Sequence, residues 1–344
     1  MFRARKYAVR ETGPAPADSL RAPVLPSPDG WFCLAFCDEL GPGTVLTRPL
    51  AGEEVVLYRT LSGQVRAVRP YCPHLGAHLG AGGTVEGEDI VCPFHKFAFS
   101  PSGACVRTGY GLRPPKASLV PYPVCEANGS VYVWRHALGA PPDWEVQNIY
   151  KAGGVPMSHA AFELAGHPQD VMENIFDTGH VALLHSVEIT LTSGPFFDGK
   201  AVRLGLRVRR SAPLVRRMGL DHTITVMGLG TAVAEIPIPR TGGLMAIVLH
   251  CTPLTPGRIH LRVGTALGFK GAPRLPGPLS RPAAGSLSWL GTRLAQPLTL
   301  RTVVQDLPVW NHQQHLMEPR LAEGDGPVGH YRKWARQFYT GPEI

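Results

Sequence analysis

The stretch CPHLGAHLGAGGTVEGEDIVCPFH, Cys72 to His95, constrains this chain more than any other. It holds two pairs, Cys72-x-His74 and Cys92-x-x-His95, with seventeen residues between them. Both pairs lie in Pro/Gly-rich segments, which form turns rather than ladders and so present side chains to a ligand. A Cys2His2 set suits tetrahedral zinc, but a zinc finger groups its histidines on a helix, and here cysteine and histidine alternate. The alternation fits a [2Fe–2S] cluster with two thiolates on one iron and two imidazoles on the other, a ligand set that raises the potential above that of four-cysteine clusters. Gly76, Gly80, Gly82 and Gly83 between the pairs allow backbone N–H groups to approach the sulfurs.

The remaining composition excludes several classes. A chain of 344 residues with 44% hydrophobic content buries ordinary globular cores. No apolar run reaches the roughly 18 residues of a membrane span, and the basic N-terminus has no apolar segment behind it, so neither a membrane span nor a secretory signal is expected. Seven cysteines, an odd and sparse set, point to a reducing, cytoplasmic setting with metal-bound thiolates rather than disulfides. The net charge of +8 favours an anionic partner. The cations are scattered, with short pairs such as Arg209-Arg210 and no aromatic interleaving, which argues against nucleic acid.

Along the chain, residues 1–30 are Pro-rich, 31–137 form short strands with turn punctuation, and 138–344 form a second domain. In the latter, HPQDVMENIFDTGHVALLH is expected to be one helix. Strands are expected over 200–268, a Pro/Gly-rich loop long enough to be functional over 270–285, and then a long helix interrupted or kinked near Pro297.

Residues 31–136 resemble a Rieske domain, and CPHLGAHLGAGG…CPFH is similar to the motif of the Rieske non-haem iron oxygenases. Respiratory Rieske proteins carry a further cysteine in each loop; here Ala77 and Phe94 stand there, as in the oxygenase type. The chain departs from the oxygenases at Lys96-Phe97, where they usually have Gly-Trp. A carrier of electrons alone needs no second metal, yet some 200 residues follow, containing Asn174-x-x-Asp177-x-x-His180-x4-His185. On one helix Asn174, Asp177 and His180 would share a face, whereas His185 lies about 140° round from His180 and needs a distorted, π-type turn to reach the same metal. By itself this is as consistent with a buried amphipathic helix; beside a Rieske domain it resembles the family's mononuclear iron motif. Iron(II) that activates O2 takes two histidines and one carboxylate. Asp306 is the single acidic residue from 236 to 317 and the favoured third ligand, with Glu318 the runner-up. His78, His136, His159, His167, His222, His250, His260, His312, His315 and His330 are read as core or surface histidines.

The resemblance covers nearly the whole chain and is strongest for the steroid-acting branch, the cholesterol 7-desaturases (the Neverland family) and 3-ketosteroid 9α-hydroxylases. It implies an α+β chain: an all-β Rieske domain followed by a helix-grip domain, an antiparallel sheet plus a long C-terminal helix. It implies a [2Fe–2S] cluster on Cys72, His74, Cys92 and His95, and mononuclear Fe(II) on His180, His185 and Asp306. Asp177 bridges to a Rieske histidine of the neighbouring subunit in a homotrimer, and Asn174 lies near the iron without binding it tightly. Electrons come from NAD(P)H through a flavin/iron–sulfur reductase or ferredoxin. The expected reaction is desaturation or hydroxylation of a sterol or steroid; the alternative is an O-demethylase or hydroxylase of a smaller aromatic or other natural-product scaffold.

Overall fold

A computed structural model of the chain describes residues 25–150, 157–210, 219–239, 241–269 and 280–341. It divides into two compact units, one spanning Trp31–Val146 and the other combining Met1–Gly30 with Gln147–Ile344.

The first unit is all-β. Its strands are β1 (Gly30–Phe36), β2 (Val45–Leu50), β3 (Glu53–Arg59), β4 (Val65–Val68), β5 (Thr84–Glu86), β6 (Asp89–Val91), β7 (Ala98–Phe99), β8 (Cys105–Arg107), β9 (Pro121–Tyr122), β10 (Val124–Ala127) and β11 (Ser130–Arg135). They form three sheets, β1-β11-β10, β2-β3-β4-β9 and β5-β6-β7-β8. Side chains alternate across a strand, and in β3 this places Val55 and Leu57 in one core with Phe32, Leu34, Val131 and Val133. Val56 and Tyr58 enter a second core with Leu79, Ile90, Phe97, Phe99 and the two motif cysteines, Cys72 and Cys92. A strand buried on both faces reads as the unbroken run VVLY rather than as alternation. Asn128 and Gly129, at φ 51° and 72°, supply the two left-handed residues of the tight turn joining β10 to β11.

In the second unit, β12 (Ser158–Ala165), β13 (Val187–Asp198), β14 (Ala201–Arg210), β15 (Leu220–Met227), β16 (Thr231–Ile238), β17 (Gly243–Thr255) and β18 (Arg258–Phe269) make a seven-stranded antiparallel sheet in the order β12-β18-β17-β16-β15-β14-β13. The helix α3 (Ser280–His312) packs along β18 and β12. Thr292 Oγ1 accepts from Leu267 N–H at 2.8 Å, Gln296 Nε2 donates to Val263 O at 3.4 Å, and Asn311 Oδ1 accepts from Ala165 N–H at 2.9 Å. This is an α+β arrangement, an antiparallel sheet with a long C-terminal helix packed on it.

Three expectations need correction. HPQDVMENIFDTGHVALLH is two short helices, α1 (Pro168–Glu173) and α2 (Thr178–Leu184), not one. Asp177-Thr178-Gly179 is a poor helix interior but a good helix start: Asp177 Oδ1 accepts from Gly179 N–H at 3.0 Å and His180 N–H at 3.1 Å. Phe176, fully buried, stacks on Tyr331 at 4.5 Å and pins the break. Secondly, α3 is not interrupted at Pro297, which lies on its exposed side. Thirdly, of the expected loop at 270–285, residues 280–285 begin α3 and the remainder lies outside the described residues. The expected strands over 200–268 are present, and among the described residues no helix is long and apolar enough to cross a membrane.

Candidate metal centres

The Cys72 and Cys92 segments fold as matching turns. Cys72 N–H donates to Ala77 O at 2.8 Å, and Cys92 N–H to Phe97 O at 2.8 Å. Each turn needs a left-handed residue at its fifth position, and these are Gly76 at φ 75° and Lys96 at φ 56°. Lys96 therefore stands where its counterpart is glycine. The turns bury both thiols and leave both imidazoles half-exposed. The His74 and His95 rings are 4.8 Å apart, and Phe97 stacks on His74 at 4.2 Å. Burial, and then the adjacent Cys92, push the Cys72 thiol up, so a bare Cys72 thiolate is disfavoured there without a cation. Buried sulfurs on one side and paired imidazoles on the other fit a [2Fe–2S] cluster, with the histidines towards solvent.

In the second unit, α2 and α3 bring His180, His185 and Asp306 together, with one ligand atom from each lying within 4.8 Å of the others. The hydrogen bonds fix the ring orientations. His180 Nδ1 donates to Asp177 O at 2.6 Å, which leaves Nε2 as a lone pair. His185 Nδ1 is 3.0 Å from Gln305 Oε1, which can only accept, so this nitrogen is the donor. In the neutral ring its Nε2 is thereby bare, and it lies 3.2 Å from Asp306 Oδ1. That oxygen is buried and without a hydrogen-bond partner. Proximity alone would suggest an ion pair, but two lone pairs face each other, and only a proton or a metal cation between them removes the conflict. Burial raises the Asp306 pKa, with His185 and His180 opposing it. Burial also resists charge on His180, but the Asp177 carboxylate outweighs it and holds the imidazole above its ordinary value. The donor set, two imidazoles and a carboxylate, fits non-haem iron(II).

No π-type turn is needed. α2 ends at His185, whose N–H still bonds to Val181 O at 3.2 Å, and Ser186 at φ 54° turns the chain away. Asn174 closes α1 and Asp177 opens α2, so the two do not share a helix face. Glu318 is exposed. Gln305, missed from the sequence, is the group that orients His185; its only signal was its position beside Asp306. Also unforeseen, His315 Nδ1 pairs with buried Asp170 Oδ1 at 2.5 Å, tying the segment after α3 to α1.

Residues 30–115 match the model of the Rieske [2Fe-2S] domain, and residues 133–339 match the 3-ketosteroid 9alpha-hydroxylase C-terminal domain. The chain is similar to a cholesterol 7-desaturase of Xenopus laevis, 29% identical over 92% of this chain and 73% of that protein. It is similar to the oxygenase component of a 3-ketosteroid-9-alpha-monooxygenase of Rhodococcus rhodochrous, 25% identical over 91% of this chain and 82% of that protein. Its fold is that of dicamba monooxygenase bound to 3,6-dichlorosalicylic acid, with TM-score 0.65, 18% identity, and 92% and 98% of the two chains covered.

Proposed function

From the premise that this chain belongs to the Rieske oxygenases with a 3-ketosteroid 9alpha-hydroxylase C-terminal domain, we propose that it oxidises a C–H bond of a sterol or steroid, by desaturation or hydroxylation, with O2 and electrons from NAD(P)H passed on by a flavin/iron–sulfur reductase or ferredoxin. The observation that carries the mechanism is the confrontation of His185 Nε2 and Asp306 Oδ1 beside His180.

In this reading His180, His185 and Asp306 hold iron(II), and Cys72, His74, Cys92 and His95 hold the [2Fe–2S] cluster. When bound, the cluster supplies single electrons and the iron supplies open positions for O2. The protein's own groups prepare that chemistry. Asp177 O and Gln305 Oε1 accept hydrogen bonds from Nδ1–H of His180 and His185, so in their neutral form both rings point a lone pair at one place. Burial opposes ionisation of Asp177, but hydrogen bonds from His180 and Gly179 hold its carboxyl below the usual range. It is therefore a fixed negative charge beside His180, with its Oδ2 3.5 Å from that ring's Nδ1. We assign Asp177 as the bridge to a Rieske-loop histidine of a neighbouring copy in a homotrimer. Exposed Leu75, Phe94 and Tyr110 surround His74 and His95, an apolar rim suited to excluding water from such a contact. Asn174 is assigned near the iron, outside its ligand set.

The test is turnover with a surrogate reductase against a panel of sterols and 3-ketosteroids, read by mass spectrometry. An oxidised steroid that requires NAD(P)H and O2 is expected. Product from a methoxylated aromatic and none from any steroid would overturn the substrate class and leave the oxygenase standing.

A further inference from the structure

The N-terminal half of α3 has inverted polarity. Its buried stripe is Ser288, Thr292 and Gln296, while Leu287, Leu290, Leu294 and Leu298 are 44%, 50%, 66% and 54% exposed. Those leucines fall at i, i+3, i+7 and i+11, one straight outward stripe about 17 Å long. Beside it Trp289 is 52% exposed and carries the Arg293 guanidinium over its ring at 4.4 Å. A pocket of about 570 Å3 opens on the same turn, lined by Gly285, Ser286, Trp289 and Leu290. Arg293 and Arg301 are exposed on the same helix, whose one carboxylate is Asp306. That carboxylate is buried at the metal site, so nothing acidic faces outward there from α3.

We propose that the outer face of α3 docks on an anionic lipid surface, from which a sterol-class substrate passes into the pocket beside Trp289. An apolar stripe, a tryptophan at its edge and flanking arginines form the pattern of a helix lying in a membrane interface. The cations supply attraction to anionic headgroups. A two-fold self-contact through this face would bring four arginines, Arg293 and Arg301 of each copy, to one interface with no carboxylate of α3 exposed to pair them, and is disfavoured by repulsion. An acidic protein partner would be recognised through charge, whereas the centre of this stripe is leucine. A sterol leaving lipid directly into the pocket avoids exposing its apolar surface to water. The proposal rests on the steroid reading of the site.

The test is flotation of the full-length, cluster-loaded protein with vesicles of phosphatidylcholine and of phosphatidylcholine with phosphatidylglycerol, without substrate. Binding to the anionic vesicles, weakened by salt, is expected. Leu290→Asp/Leu294→Asp should abolish it, and Arg293→Gln/Arg301→Gln, which keeps the leucines, should cut the anionic preference by about 30-fold. Wild-type protein that stays in the aqueous fraction with both vesicle types overturns the proposal. So does a leucine variant whose mass by light scattering falls while vesicle binding persists, because a second copy then covers the face. Since no substrate is present, failure here leaves the steroid assignment intact, and failed steroid turnover leaves vesicle binding intact.

Discussion

His185 Nε2 and Asp306 Oδ1 face each other at 3.2 Å, and the other ring nitrogen of His185 is committed to Gln305, so in the neutral ring both facing atoms are acceptors. Two acceptors at that distance in a buried site are a pre-built demand for positive charge, and His180 completes it.

Gln305→Leu removes the acceptor that fixes the His185 tautomer while leaving the three ligand side chains in place. Mononuclear iron affinity should fall by about 10- to 100-fold. Asp306→Asn, which removes a ligand, should strip that iron outright. Metal analysis with EPR of the reduced cluster checks both, since the cluster signal should be unchanged in each.

Asp177→Asn separates two roles. Asparagine is as good a helix start as aspartate, so α2 and both metals should be retained, while product formation falls by about tenfold or more if the carboxylate is the bridge. Asp177→Ala should in addition cost about 1 kcal/mol of stability through the lost cap. Iron content, thermal unfolding and turnover are compared; near-normal turnover of Asp177→Asn means there is no bridge, and loss of iron means that Asp177 is a ligand.

Lys96 holds the left-handed slot that Gly76 fills in the matching turn. A side chain there costs about 1 kcal/mol, partly offset by the freedom glycine has when unfolded. Melting temperatures should therefore rank Lys96→Gly above wild type, Lys96→Ala near it and Lys96→Val below both.

Burial holds His250 neutral, with a pKa of about 3, and the Arg262 charge adds to the effect. Burial likewise lowers His167 to about 4 against the attraction of Asp170. Unfolded, both titrate near the ordinary 6.5. Below that pH the unfolded chain takes up protons that the folded chain refuses, so stability falls as pH drops, by about 1.4 kcal/mol per unit per histidine down to the folded pKa values. His167 also caps α1 through its ring, accepting from Gln169 N–H at 3.1 Å. His167→Asn keeps a capping acceptor and loses the titration, so the fall in stability between pH 6.5 and 4.5 should be shallower; denaturant unfolding against pH measures it.

The parts of this protein legible in its sequence are those made by neighbours in the chain. Each cysteine–histidine pair comes from one turn closed by its own backbone hydrogen bond, so spacing alone reports it. The antiparallel hairpins from β14 to β18 likewise declare themselves by alternation and turn residues. The break between α1 and α2 was missed because Asp177 serves equally as a helical face residue and as a cap; buried Phe176 packing on Tyr331 settles which. Charge scarcity picked out Asp306 as unusual. Its approach to His180 and His185 depends on α3 lying along β18 and β12, and so does the role of Gln305. The inverted polarity of the N-terminal half of α3 has the same origin: Thr292 and Gln296 face inward because they bond the backbone of β18. Local propensity acts over a few residues, whereas these contacts join segments over a hundred residues apart, or a helix to a strand edge, and only the packing of the sheet decides them.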